Sequence, residues 1–209
     1  MDDNWMPHPS NRSQIETLAA VLATVVEGRE AVYVSSPLTS GPRALEWHAA
    51  SAARVEEDFE TGSETFRRVV VGANREAAST FVHRLRSEID ALVIDPTALP
   101  DVPGWGQPDY RYFWGEVIRR YASKVVFRGG WMYSNGCVYE FLIATESGAT
   151  TVQEDLSSLN LEQGIALISG AIEETTVRGL SNEVLQEVLT ALNKLRSATR
   201  QQNRKATSR

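Results

Sequence analysis

Three short apolar runs divide the middle of the chain, at residues 31–35, 91–95 and 124–127. Each run is rich in β-branched or aromatic residues and is followed by small, polar or proline residues, a pattern typical of buried strands. A weaker run at 150–152 predicts an edge strand. Residues 67–71 fit either a strand or a short helix.

Between and around these runs, apolar residues recur at three- and four-residue spacing, which predicts amphipathic helices. The helices are predicted at about 13–27, from about 43, and at 76–89, 110–122, 138–145, 161–173 and 181–197. Gly28 ends the first of them, and Pro96 stops the second strand.

Short apolar strands joined by helices indicate an α/β fold with a mostly parallel sheet and helices on both faces, as in Rossmann-like and flavodoxin-like proteins. Extra helices are predicted at both the N-terminal and C-terminal ends. The predicted organisation is a flexible leader at 1–11, the α/β domain with its N-terminal helix at 12–155, a helical extension at 156–197, and a basic disordered tail at 198–209.

Composition narrows the class of protein. The formal net charge is −6, which argues against a partner such as duplex DNA, since that requires a basic patch. Cys137 is the single cysteine and excludes an internal disulfide, as is typical of a reducing cytoplasm. The first residues lack a secretory signal pattern, and no apolar stretch approaches the ~18 residues of a membrane span. We therefore expect a cytoplasmic protein with no membrane partner, no nucleic-acid partner and no metal.

Ligands bind at the carboxyl ends of strands in open parallel sheets, so the loops at 36–42, 96–108 and 128–136 are expected to line a pocket. The third loop is glycine-rich and leads into a helix that carries Glu140. Backbone N–H groups at a helix start can hold an anion, and Glu140 would face the same cleft. The simpler interpretation is a surface glutamate that favours a helix start, but the apolar flanks of the segment place it beside the core.

This segment resembles a motif of the nucleoside 2-deoxyribosyltransferase superfamily. In that family a strand is followed by the segment Ser-x-Gly-x-x-(Tyr or Met)-Glu. Its glutamate attacks the anomeric carbon of a nucleoside. Ser134, Gly136, Tyr139 and Glu140 match these positions.

The resemblance extends to two other loops and covers roughly residues 30–150. The stretch 33–41 is similar to the family's opening strand and sugar-binding loop, and 95–97 is similar to the loop after its next strand. The resemblance implies an N-glycosidase with Glu140 as nucleophile and without a cofactor. It also implies that Tyr33, Ser36, Ser40, Gly41, Ser134 and Gly136 bind the ligand. Aromatic rings can stack on a base, and Tyr33 and Trp131 are the candidates for that contact.

The chemistry of the residues agrees with this interpretation. An N-glycosidic bond breaks through an oxocarbenium-like transition state, which a carboxylate stabilises or traps as a glycosyl ester. The leaving base needs an acid, and Asp95 or Asp109 is a candidate. Each has a structural alternative, since Asp95 precedes Pro96 in a turn and Asp109 is placed to cap a helix.

Ser134 favours one branch of the family. Family members that transfer nucleosides and hold a free sugar hydroxyl carry a carboxylate at this position. A serine here resembles the 2′-deoxynucleoside 5′-phosphate N-hydrolase branch, because a hydroxyl accepts a phosphate that a carboxylate would repel. Arg128 lies after the third strand, where it fits either a phosphate contact or a solvated strand end. The acceptor, water or a second base, stays open. The family's active sites are completed by a neighbouring subunit, which implies a homodimer or higher oligomer.

Three other interpretations compete with this one. A phosphoribohydrolase related to lysine-decarboxylase-like proteins would have a proline where Arg128 stands and a threonine after Gly136, and the chain has neither. A non-catalytic module that binds a nucleotide, or a structural subunit whose aromatic residues form an interface, would give Glu140 no chemical role.

Overall fold

The computed structural model describes residues 6–51 and 63–207. Its centre is one sheet of four parallel strands in the order β2-β1-β3-β4. The strands are β1 (Ala31–Ser35), β2 (Leu92–Ile94), β3 (Ala122–Phe127) and β4 (Thr150–Gln153). All four predicted strands are therefore confirmed, including β4 at an edge.

Helices connect the strands and extend beyond the sheet at both ends of the chain. They are α1 (Arg12–Val26), α2 (Pro42–Ser51), α3 (Glu64–Phe66), α4 (Ala73–Glu88), α5 (Gln107–Tyr121), α6 (Asn135–Ser147), α7 (Leu161–Val177) and α8 (Glu183–Thr207). A π-helical segment, Arg67–Gly72, joins α3 to α4. The predicted α/β class, with extra terminal helices, is confirmed.

The two faces of the sheet are covered by different helices. Val32 and Val34 of β1 pack on one face against Phe81 and Leu85 of α4. Tyr33 and the alternate residues of the other strands face a larger core shared with α1, α5, α6, α7 and α8. Alternate strand residues point to opposite faces, and both faces of a parallel sheet are normally covered. Because α6 lies inside the larger core, it is apolar almost all round.

The structure decides one open alternative and differs from the sequence predictions at two boundaries. Of the strand and the short helix that residues 67–71 fit, the helix is the one present, as part of the π-helical segment. Within the predicted leader, Pro9–Asn11 form a 3-10 turn with Asn11 buried, while residues 1–5 lie outside the described part. Helix α8 continues to Thr207 instead of ending at 197, and its residues Arg196 and Arg200 pair with Glu162 of α7.

Two features are absent from the described residues. No helix there has the length and apolar character needed to cross a membrane. Within residues 6–51 and 63–207 there is likewise no cluster of three or more histidine, cysteine or acidic side chains that could hold a metal ion.

Candidate functional site

The strand order creates a crevice between β1 and β3. The chain passes from β1 to β2 on one side and returns to β3 on the other, so the connections after β1 and β3 run in opposite directions. Ligands of open α/β sheets bind at such a switch point, beyond the carboxyl ends of the strands. Ser35 and Phe127 are the paired residues at these two strand ends.

Glu140 lies in this crevice on the second turn of α6. Its Oε1 accepts a 2.6 Å hydrogen bond from the Tyr33 hydroxyl, and its Oε2 accepts a 2.6 Å hydrogen bond from the Ser35 hydroxyl. Burial raises the pKa of Glu140 to about 7, although the hydrogen bonds from Ser35 and Tyr33 oppose that shift. The carboxyl group is thus fixed in place and titrates near neutral pH.

The two donors come from one face of β1. Tyr33 and Ser35 are two residues apart, so their side chains point to the same side of the sheet, towards α6. Burial, followed by the nearby Glu140, raises the pKa of Tyr33 well above its usual value. The tyrosine therefore stays protonated and donates to Glu140 at any ordinary pH. The sequence placed Tyr33 in the site but gave Ser35 no role.

Glu140 opens onto a pocket of about 950 Å³. The walls come from segments far apart in the chain: the loop after β1, the start of α2, the π-helical segment, the loop after β2, the first half of α5, the start of α6 and the turn between α7 and α8. This volume lies towards the upper end of the ~300–1,000 Å³ that ligand pockets usually enclose. The pocket is large enough for a nucleotide.

Five of the predicted ligand-binding residues line this pocket, namely Ser36, Ser40, Gly41, Ser134 and Gly136. Ser134 is the N-cap of α6, and its Oγ accepts a 3.4 Å hydrogen bond from the Cys137 N–H. Cys137 is buried, and burial raises its pKa to about 12. It stays a neutral thiol beside the site.

The two glycines line the pocket for different reasons. Gly41 has φ of +88°, and a Cβ there would approach the Pro37 Cβ to 2.9 Å, so the loop itself requires glycine. A Cβ at Gly136 would meet nothing nearer than the Ser134 Oγ at 4.0 Å. Glycine at 136 therefore leaves space at the helix start that a ligand can use.

Tyr33 and Trp131 do not lie where a base could stack on them. Tyr33 is 0% exposed and Trp131 is 2% exposed. Trp131 packs against Phe127 and Phe141, with ring centroids 5.0 and 4.9 Å away. The stacking prediction is wrong for both, because each ring is enclosed by the core. The rings that do line the pocket belong to Tyr110, Trp114 and Tyr133.

Asp109 holds the fold together instead of facing the pocket. It is 3% exposed and lies at the third position of α5, with Gly106 as the N-cap. Its carboxylate accepts hydrogen bonds from the Gly106 N–H, the His8 N–H and the Asn11 Nδ2, at 2.8, 2.8 and 3.0 Å. Burial alone would raise its pKa, but these donors outweigh burial and lower it. An ionised, fully bonded carboxylate is a poor proton donor.

Asp95 also has a local structural role. Its Oδ1 caps the turn Pro96–Ala98 by accepting hydrogen bonds from the Thr97 N–H and Oγ1, at 2.9 and 2.7 Å. The pocket wall is formed by the residues after it, among them Thr97 and Asp101. Asp101 is exposed and lines the pocket, and no sequence pattern assigned it a role.

Other residues at the site follow only from the tertiary structure. Asn74 is buried, and its Nδ2 donates to the Leu38 and Ser40 carbonyls at 2.8 and 3.4 Å, which fixes the loop after β1. His48, Arg67, Arg75 and Arg111 line the pocket as well. Nothing in their local sequence distinguishes them from solvated helix residues.

Arg128 lies outside the pocket. Its guanidinium pairs with Glu154 at 3.3 Å and covers the Phe81 ring at 5.3 Å. The sequence left two alternatives open for Arg128, a phosphate contact and a solvated strand end. Neither describes its position. It braces the end of β3 against the segment after β4.

Comparison with protein-family models, with curated proteins and with solved structures gives no match to this chain.

Proposed function

We propose that the protein is an N-glycosidase that cleaves the base–sugar bond of a nucleotide or nucleoside with Glu140 as the nucleophile. The observation that carries the proposal is a carboxyl group held at both oxygens, by Tyr33 and Ser35, at the floor of a pocket of nucleotide size. The resemblance of the segment 134–140 to the nucleoside 2-deoxyribosyltransferase superfamily supports the same chemistry.

The reaction needs the ionised form of Glu140. One carboxylate oxygen attacks the anomeric carbon as the carbon–nitrogen bond breaks, and the bonding electrons leave with the base. The base takes up a proton, and water then hydrolyses the glycosyl ester and releases Glu140. With a pKa of about 7, roughly half of the groups are ionised at neutral pH.

The leaving base takes its proton from solvent in this proposal. Asp101, which is exposed, is the carboxyl group besides Glu140 that lines the described pocket, whereas Asp109 is enclosed and Asp95 caps a turn. The hydroxyl of Ser134 and the open space at Gly136 provide a place for a 5′-phosphate at the start of α6.

The test is to incubate the protein with nucleosides, deoxynucleosides, their 5′-monophosphates and NAD, and to measure free base by chromatography. We expect base release by the wild type and loss of release in Glu140→Gln. The matched control is Glu146→Gln, an exposed residue of the same helix that makes no contact with the pocket. Mass spectrometry after an acid quench and proteolytic digestion should find one glycosyl group on the peptide that contains Glu140.

The outcomes separate the proposal from its rivals. Equal base release by the wild type and Glu140→Gln would remove Glu140 from the mechanism. No base from any substrate, with or without an added acceptor base, would make the pocket a non-catalytic nucleotide-binding site.

A further inference from the structure

The charges that line the pocket do not resemble those of the chain as a whole. The chain carries a formal net charge of −6. The pocket is lined by Arg67, Arg75 and Arg111, against the carboxyl groups of Asp101 and Glu140. Among the residues that the structure describes, three guanidinium groups line the pocket against two carboxyl groups, so this lining is net cationic. A cationic pocket in an acidic protein favours an anionic ligand.

Two of these arginines take no part in holding the described fold together. Arg67 and Arg75 are both exposed. Within residues 6–51 and 63–207, no ion pair joins either guanidinium to a carboxylate, whereas Arg119 and Arg128 pair with Glu116 and Glu154.

The backbone explains why Arg67 and Arg75 face the same pocket. Residues four apart on an α-helix drift by about 40° around the axis, so eight residues would drift by about 80°. The chain is π-helical from Arg67 to Gly72 and α-helical from Ala73. The wider π turn rotates the side chains in the opposite sense, so Arg67, Val71 and Arg75 all line the pocket. π-Helical turns are rare, and they occur frequently at functional sites.

The anchor residues of this segment show that its geometry is fixed. Ser63 caps the start of α3, with its Oγ accepting a 3.1 Å hydrogen bond from the Phe66 N–H. Phe66 and Val70 are buried against Ala44 and Trp47 of α2. The arginines therefore project from a packed segment.

We propose that Arg67 and Arg75 form a second subsite that binds a phosphoryl group beyond the first phosphate of the substrate. The inference rests on the proposed function for the placement of the sugar at Glu140. The substrate class is then a nucleotide with a phosphate chain, either a nucleoside 5′-di- or triphosphate or a dinucleotide joined by pyrophosphate. The volume of about 950 Å³ accommodates the additional group.

The test measures binding separately from catalysis. Nucleoside 5′-mono-, di- and triphosphates of the common bases, and NAD, are titrated calorimetrically into Glu140→Gln without divalent cations. We expect di- or triphosphates, or NAD, to bind about tenfold or more tightly than monophosphates, since each charged hydrogen bond lost is worth a factor of that order. Tight binding of NAD but not of triphosphates identifies a dinucleotide, and the reverse identifies a linear chain.

The variant Arg67→Gln/Arg75→Gln should abolish this preference and its salt dependence. Arg68→Gln is the matched control, because Arg68 is exposed on the same π-helical segment and does not line the pocket. Equal affinity for mono- and polyphosphates, or equal effects of Arg68→Gln and the double variant, would overturn the subsite.

Failure of the subsite and failure of the proposed function give different results. Base release from monophosphates, with polyphosphates and NAD bound no more tightly than monophosphates, would refute the subsite and leave the N-glycosidase intact. Polyphosphate binding that depends on Arg67 and Arg75, with no base released from any compound, would support the subsite and refute the N-glycosidase.

Discussion

The buried carboxyl group of Glu140 should make the stability of the protein depend on pH. Its pKa is raised from the ordinary 4.5 to about 7, because burial penalises the charged form. Folding therefore favours the protonated form. The stability that this group contributes is fully present below pH 4.5 and is lost as the pH rises towards 7.

The magnitude follows from the same two values. Each pKa unit corresponds to ~1.4 kcal/mol, so ionisation of Glu140 destabilises the folded protein by about 3 kcal/mol at pH 7 and above. A neutral, nearly isosteric glutamine avoids this penalty, and its amide can bond to both hydroxyl groups that hold Glu140. Glu140→Gln should therefore match the wild type at pH 4.5 and exceed its free energy of unfolding by about 3 kcal/mol at pH 8.

Urea denaturation of the wild type and Glu140→Gln, followed by circular dichroism between pH 4.5 and 8, measures this difference. Glu146→Gln, on the exposed side of the same helix, controls for the loss of one carboxyl group. A difference between wild type and Glu140→Gln that does not grow with pH, or a Glu140→Gln variant less stable at pH 8, would refute a buried carboxyl group with a raised pKa.

Three further predictions test the supporting structure. Tyr33→Phe removes one hydrogen bond that lowers the pKa of Glu140, so the rising limb of the pH–rate profile should move to higher pH with a lower kcat at pH 7; an unchanged limb contradicts this. Gly164→Ala places a Cβ 2.2 Å from the Phe141 ring and should lower the unfolding free energy by about 1–3 kcal/mol, whereas Gly170→Ala, on the same helix with nothing within 4 Å, should raise it by about 0.5–1 kcal/mol in urea denaturation. Asp109→Asn should lower the thermal midpoint while kcat, measured well below that midpoint, stays near the wild-type value; a large loss of kcat would restore its catalytic role.

The sequence predicted the sheet well because the strands are buried on both faces. Such strands form continuous apolar runs, and 31–35 and 124–127 are of this kind. The π-helical segment was ambiguous for a physical reason. Its run of valines has high β-propensity, and the packing of Phe66 and Val70 against α2 overrides that preference.

The site was predicted where a local motif carries it and was missed where distant segments meet. Ser134, Gly136 and Glu140 lie within one short stretch, so their spacing could be read directly. The side chain of Tyr33 was assigned to base stacking. The two-residue spacing of Tyr33 and Ser35 places both on the same face of β1, and both hydroxyl groups donate to Glu140 of α6. Arg67 lines the pocket because the segment that carries it is π-helical, and no sequence pattern predicts a π-helical turn.

The energetics of Glu140 link the stability of the protein to the proposed reaction. An ionised carboxylate at the floor of this pocket is poorly solvated, and the hydroxyl groups of Tyr33 and Ser35 only partly offset the loss of water. The anomeric carbon becomes positively charged in the transition state, and a low dielectric strengthens its attraction to the carboxylate. The burial that lowers the free energy of unfolding when Glu140 is ionised would therefore also strengthen the attraction of Glu140 for an oxocarbenium ion. Because Tyr33 and Ser35 are fixed by β1, the carboxylate needs no reorganisation when that charge forms. A poorly solvated, ionised Glu140 that lowers the stability of the protein is therefore what the proposed reaction leads us to expect.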